Sequence, residues 1–359
     1  MSFCIFCGAA PSEKTREHII PQWLLALTGD PNRMAYFGRD WLSPDLKKRI
    51  YSWKAFTFPA CDACNGRWSK IEGEVKGIVE RMLASAPLAA QDFYVFLDWI
   101  AKVRTGLWLG MLYLNKNYRG IIPQFHIDDR VRQKDRALII YQADDEIQGI
   151  GLSGVDSPIF HKSPSIFSIT INQLSFVSVS SDFILAKQLG WPYPTMRKMA
   201  DIDTDGFSAD INAGTQEITP PVLASLPLSP GTVLLQPIAH QYLRRVSAAS
   251  FEETFLNPYV KASSIDEKSG IGRLLIGNDH PIDYPDEPTN EWRPTTRHKR
   301  EVLSREIALW TSGLQRSVFA DQPDFSHFPG ADREARTKEI EGVLKLQDSI
   351  IQHLRDGGM

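Results

Sequence analysis

The chain has 359 residues, 43% of them hydrophobic and 23% charged. That balance belongs to an ordinary folded protein, not a disordered or fibrous one, and the length suits one large domain or two of common size. With 40 Lys and Arg against 43 Asp and Glu, there is no global positive field to recruit nucleic acid, so any polyanion site has to be local.

No basic-then-apolar leader opens the sequence, and no apolar run reaches membrane-spanning length. The expectation is a cytoplasmic protein without a membrane partner, its oligomeric state open. A reducing compartment favours cysteines as metal ligands over disulfides.

In chain order, all four cysteines fall within the first 64 residues, as Cys4-x-x-Cys7 and Cys61-x-x-Cys64. Residues 1–80 are otherwise turn-rich, with scattered apolar groups at Trp23, Leu24, Leu25, Trp41, Trp53, Phe56 and Phe58. A unit of that size is marginal without a staple. Lys47-Lys48-Arg49, Arg67 and Lys70 read either as a small basic rim or as solvated surface charge. From Asn65 the pattern turns helical: Trp68, Ile71, Val75, Ile78 or Val79, and Met82 mark one apolar face, with Asn65, Ser69, Glu72 and Lys76 opposite. This helix fades near Ala84–Pro87.

A second helix is predicted from Ala90 to Leu114. Its stretch from Trp99 on is the most apolar of the chain, interrupted by Lys102, Arg104, Gly106 and Gly110, and reads as a core helix. Residues 137–143, 165–172, 174–180 and 232–238 read as strands, and Thr219–Pro230 and 280–288 as ordered loops. Residues 298–312 and 331–356 read as helices. The chain thus divides into a module at 1–85 and a larger α+β domain at 90–359, with a mixed or antiparallel sheet flanked by helices in a topology the sequence does not reveal. Arg104, His126 with Asp128, Arg132–Arg136, His161 and Asn278-Asp279-His280 match no motif with a known mechanism. They leave room for an effector or a partner protein at this larger domain. Arg104 reads as a buried ion-pair or loop-capping residue.

Two Cys-x-x-Cys knuckles complete a tetrahedral four-sulfur site for Zn²⁺ from Cys4, Cys7, Cys61 and Cys64, the second at a helix start where the dipole favours thiolates. Four sulfurs leave no open position, so this zinc is structural and catalysis would need a different ion. Glu17-His18 lies between the knuckles. A carboxylate can hold Mg²⁺ or Mn²⁺ while an imidazole takes a proton from water; the plain alternative is a surface histidine beside an ordinary glutamate.

Cys-x-x-Cys, then Glu-His-Ile-Ile-Pro-Gln-Trp-Leu-Leu from Glu17, then Cys-Asp-Ala-Cys-Asn ending at Asn65, resembles the zinc-stapled branch of the HNH endonuclease superfamily over about residues 1–80. The resemblance implies a ββα-metal, treble-clef-like module that hydrolyses DNA phosphodiester bonds with one divalent ion, typically in bacterial defence or mobile elements. It assigns the general base to His18 and ion ligands to Glu17 and Asn65. Arg16 and Arg67 are candidates to contact the phosphate. The family's middle asparagine falls on Phe56 here. Glu72, two helical turns beyond Asn65, is the candidate compensating ligand, or else a solvent-side partner of Lys76; Asn65 could equally be a helix cap. Trp23 and Trp68 read as module core. The competing function is a non-catalytic zinc scaffold that binds nucleic acid or protein.

Overall fold

The computed structural model describes residues 3–10, 15–41, 43–114, 123, 125–131, 135–180, 184–190, 193–198, 207–212, 225–228, 231–236, 272–277, 281–320 and 330–357. Arg132, the Asn278-Asp279-His280 cluster, the end of the 232–238 strand and most of Thr219–Pro230 lie outside them.

The chain opens with β1 (Thr15–His18), α1 (Gln22–Leu27) and a hairpin of β2 (Met34–Arg39) and β3 (Lys48–Ser52). β4 (Thr57–Ala60) then pairs antiparallel with β1, setting Glu17 opposite Phe58 and His18 opposite Thr57. α2 (Asp62–Leu83) follows β4 at once, and α3 (Ala90–Leu114) follows after a short turn. That turn is tied down by an Arg81–Asp92 ion pair of 2.5 Å and by Leu88 and Thr289 exchanging backbone hydrogen bonds.

The first eighty residues hold more regular structure than a turn-rich reading expects. In β2 and β3 the inward positions are Ala35, Phe37 and Arg49, while Met34, Tyr36, Lys48 and Ile50 face outward. Apolar groups sit on both faces and a charge points inward, which hides the strand period.

The larger sheet contains β5 (Arg136–Ala143), β6 (Ile150–Ser153), β7 (Ile166–Ile171), β8 (Leu174–Ser180), β11 (Thr232–Gln236), β12 (Leu275–Ile276) and β13 (Ile282–Asp283). Their spatial order is β13-β12-β11-β5-β8-β7-β6, antiparallel at every step. β14 (Arg297–His298) adds a short parallel pairing at the end of β5. β9 (Tyr193–Lys198) and β10 (Phe207–Asn212) form a separate two-stranded pair. With seven α-helices among the described residues, the chain is a mixed α+β protein. The strands expected from 137, 165, 174 and 232 are β5, β7, β8 and β11.

Both faces of this sheet are covered, which explains why β5 is buried along its whole length and reads as a continuous apolar run. Leu138 and Ile140 share a core with Phe167, Phe176 and α3. Ala137, Ile139 and Tyr141 face Leu303 and Ile307 of α6 (Arg300–Ala320), against which α7 (Gly330–Arg355) lies. α4 (Pro158–Lys162) and α5 (Ile184–Gln188) fill the ends.

α3 lies between the N-terminal segments and the sheet, buried on every side from Phe96 to Leu112. One continuous core runs from Cys4, Ile5 and Phe6 through α2 and α3 to the sheet, so residues on both sides of the 85–90 turn share it. No described helix is long and apolar enough to cross a membrane.

Gly106 and Gly110 allow the close approach. A Cβ at Gly106 would lie 2.6 Å from Ile19 Cδ1, and one at Gly110 would lie 2.8 Å from Phe56 Cδ1. Gly106→Val and Gly110→Val are each expected to destabilise the protein by about 1–3 kcal/mol through overpacking. Gly73→Ala, on an open face of α2, should instead stabilise by up to about 1 kcal/mol. Urea unfolding of the three variants checks this ordering.

Candidate metal centre and the Glu17–His18 strand

The two knuckles meet because the backbone around each has a fixed role. In the first, Cys4 N–H donates to Ala9 O (2.7 Å) and Gly8 N–H to Cys4 O (2.9 Å). Gly8 adopts φ +76°, and a Cβ there would fall 2.2 Å from His126 Nε2, so both conformation and space demand glycine. Ile5 N–H donates to Pro59 O at 2.9 Å, which pins this knuckle to β4 two residues before Cys61. The second knuckle is the start of α2: Cys61 is its N-cap residue, and Asn65 N–H donates to Cys61 O at 2.9 Å.

The four sulfurs all lie within 4.8 Å of one another, with Cys7 Sγ and Cys61 Sγ 3.9 Å apart. A tetrahedron with Zn–S bonds of about 2.3 Å requires sulfurs about 3.8 Å apart. The fit is good, and the cluster could hold a structural zinc. Burial, reinforced by the Cys61 and Cys7 sulfurs, pushes the Cys64 thiol up, and burial also raises Cys7. The Cys64 N–H holds Cys61 down. Four crowded sulfurs of this kind ionise together only against a cation, which is the electrostatic case for a metal. Among the described residues this is the one group of three or more His, Cys, Asp or Glu ligand atoms so close together.

Near the cysteine cluster, β1 alternates. Arg16 is exposed, Glu17 is buried and His18 is half-buried. The buried Glu17 carboxylate meets Lys102 of α3, whose Nζ lies 2.5 Å from Glu17 Oε1. The same ammonium lies 2.6 Å from Glu72 Oε1 and donates to the carbonyls of His18 and Ile19 at 3.2 Å each. Lys102 is 0% exposed. Burial works against its charge, but Glu17 and Glu72 outweigh that and hold its pKa above the usual lysine value. For Glu72, burial outweighs the pull of Lys102, and with Glu17 nearby its carboxyl is raised.

Glu17 and Glu72 therefore do come together, around an ammonium. Lys102 escaped the sequence reading as a site residue. The available signal was a lysine inside the most apolar stretch of the chain, where a charge needs carboxylate partners.

His18 has no side-chain hydrogen bond among the described residues. Burial lowers its pKa, Glu17 opposes this, and Lys102 and Arg16 add to it. Asn65 is half-buried on the first turn of α2. Phe56 is fully buried, with its ring stacked 4.5 Å from that of Phe37. Its backbone still supports the site, since Ile19 N–H donates to Phe56 O at 3.1 Å.

The two arginines are engaged. Arg16 Nη2 donates to Thr57 O at 2.9 Å, and Arg67 pairs with Asp128. Asp128 also accepts from Trp68 Nε1 at 3.1 Å, and Trp68 stacks on Phe6. Asp128 thus anchors the first turns of α2, and the ring of His126 packs over Gly8. Trp68 is buried, and Trp23 packs half-exposed against Trp99. Of the remaining clusters, Arg136 pairs with Asp98 at 2.8 Å. Buried Arg104 donates to Ser178 Oγ at 3.4 Å, and desolvation, with Arg130 and Arg136 nearby, brings its pKa down to about 9.

Comparison with family models, with curated proteins and with solved structures finds no match to this chain.

Metal analysis under reducing conditions should find about one zinc per chain, the stoichiometry of a closed four-thiolate site; a chain purified without metal that folds and melts identically would exclude it. Lys102→Met should cost about 3–5 kcal/mol at neutral pH, because it leaves two buried carboxylates without their cation. That loss should shrink as pH falls and the carboxylates protonate, and Glu72→Gln in the same chain should recover part of it. Urea unfolding at several pH values measures both effects.

Proposed function

We propose that this protein is a metal-dependent nuclease of the HNH type, cutting DNA phosphodiester bonds at a centre built on β1, β4 and α2 beside the zinc cluster. One observation carries the reading. A half-buried imidazole, with burial favouring its neutral form, directly follows a buried carboxylate on a strand paired to the one that leads into the second knuckle.

A neutral imidazole can accept a proton from the attacking water as the water adds to phosphorus. A Mg²⁺ or Mn²⁺ site needs one or two carboxylates and otherwise water and substrate oxygens. Glu17 and Asn65 would supply such a set, and Glu72, sharing the Lys102 ammonium with Glu17, would leave the group of three with more carboxylate than cation. When bound, the ion offsets charge on the scissile phosphate and on the leaving 3′ oxygen. Lys102 keeps the Glu17 carboxylate and the His18 carbonyl fixed. Arg16 and Arg67 would contact phosphate by exchanging Thr57 O and Asp128 for it, so both start from a held position.

A second reading is favoured by particular residues. Phe56 fills the place of the family's asparagine with a core side chain, and Lys102 already occupies the space between Glu17 and Glu72. A zinc-stapled, non-catalytic scaffold that binds nucleic acid or protein would need no more than this.

Plasmid cleavage by the purified full chain with Mg²⁺ or Mn²⁺ decides between them. The nuclease reading expects metal-dependent nicking that falls by at least about 100-fold, the scale of general-base catalysis, in a His18→Ala chain that keeps its zinc. Equal cleavage by parent and variant, or none by either, would sink it.

A further inference from the structure

The β2–β3 hairpin has two unlike faces. Its inner face, Phe37 with Tyr51, packs on Phe56, the residue whose carbonyl receives the Ile19 N–H. The hairpin is thus anchored beside the strand that carries Glu17 and His18. Its outer face presents Met34 at 60% exposure, Tyr36 at 49% and Ile50 at 53%. These are half of the exposed large hydrophobic residues among the described positions. Tyr36 and Ile50 are directly paired across the two strands.

Charge distinguishes this face from an ordinary apolar patch. Between Met34 and Lys54 there are five basic residues and two acidic ones, in a chain whose formal net charge is -3. Arg49 turns inward to Asp40 at 3.2 Å, whereas Lys48 and Lys47 stay exposed, Lys47 in a solvent-facing pair 3.9 Å from Asp45 that a phosphate can replace. Lys48 Nζ lies 5.9 Å from the centre of the Tyr36 ring. An open aromatic ring with aliphatic flanks and lysines beside it is what a nucleic-acid strand requires: a surface on which a base can stack, and cations for its phosphates.

We propose that the outer face of the β2–β3 hairpin is a nucleic-acid docking surface, where Tyr36 stacks an unpaired base and Lys47 and Lys48 meet the backbone phosphates on either side. This deepens the nuclease reading by naming the surface that presents the strand and the unpaired base it prefers. The assignment concerns binding, which is separable from cleavage.

The test uses the full chain carrying His18→Ala, with fluorescence anisotropy of a labelled single-stranded DNA oligonucleotide and of its duplex. Salt is varied between about 50 and 200 mM, where phosphate contacts dominate the slope. Tyr36→Ala should weaken single-strand binding by about tenfold or more, the loss of one stacked base. Lys47→Glu with Lys48→Glu should weaken it further and flatten the salt dependence. Lys338→Glu with Lys345→Glu on α7, both exposed, is the charge-matched control and should change neither. All these side chains face solvent, so zinc content and urea midpoint should stay at the parent values.

Parent-like binding by the hairpin variants would overturn the proposal even if the active chain cleaves DNA. Hairpin-dependent binding without metal-dependent cleavage would keep the surface and remove the nuclease. No DNA binding by any chain would remove both. Should light scattering show a dimer that Tyr36→Ala dissociates, the face is a contact between copies and the proposal fails.

Discussion

A lysine ammonium shut away from water has to be surrounded by oxygen, and four oxygens from β1 and its end and from α2 surround Lys102. The cost of burying such a charge is several kcal/mol before its partners are counted. It is met only if the three segments stand in one relative position, so the contact specifies geometry more than it adds stability. Strand β1 is held at Glu17, His18 and Ile19, α2 at Glu72, and α3 supplies the cation.

Two further constraints lock the same elements from outside. The cysteine cluster ties the first knuckle to the start of α2, at the opposite end of β1 from the lysine contact. Gly106 and Gly110 remove side chains where Ile19 and Phe56 press on α3. The cysteine knuckles, the small residues of α3 and the buried ammonium therefore act on one short strand. A small polar module without a large core of its own gains rigidity in this way, by leaning on a helix that is itself buried between the module and the sheet.

The electrostatic consequence concerns chemistry. Lys102 offsets part of the charge of Glu17 and Glu72, which weakens their pull on a divalent ion. It also stands between the two carboxylates and offsets their mutual repulsion. Under the proposed nuclease reading, such a centre would suit a single ion with mainly water and phosphate ligands better than two metals bridged by carboxylates. Placing a basic, partly apolar hairpin next to it would give the chain a local polyanion surface despite its acidic net charge.

From the sequence alone came the features set by local spacing. The paired Cys-x-x-Cys motifs identified the four-cysteine cluster that could hold a metal. The 3.6-residue period from Trp68 to Met82 marked α2, and the apolar runs at 137, 165, 174 and 232 marked the strands, because buried β-branched segments announce themselves one residue at a time. What only the tertiary structure decided was the partner of each charge and the shape of the core. Lys102 lies 85 residues from Glu17 in sequence, and Asp128 lies 61 from Arg67. Hydrogen bonds and ion pairs across such separations leave no period in the chain. The inward turn of Arg49, the outward turn of Tyr36 and the antiparallel order of the sheet were likewise settled by which faces could be covered.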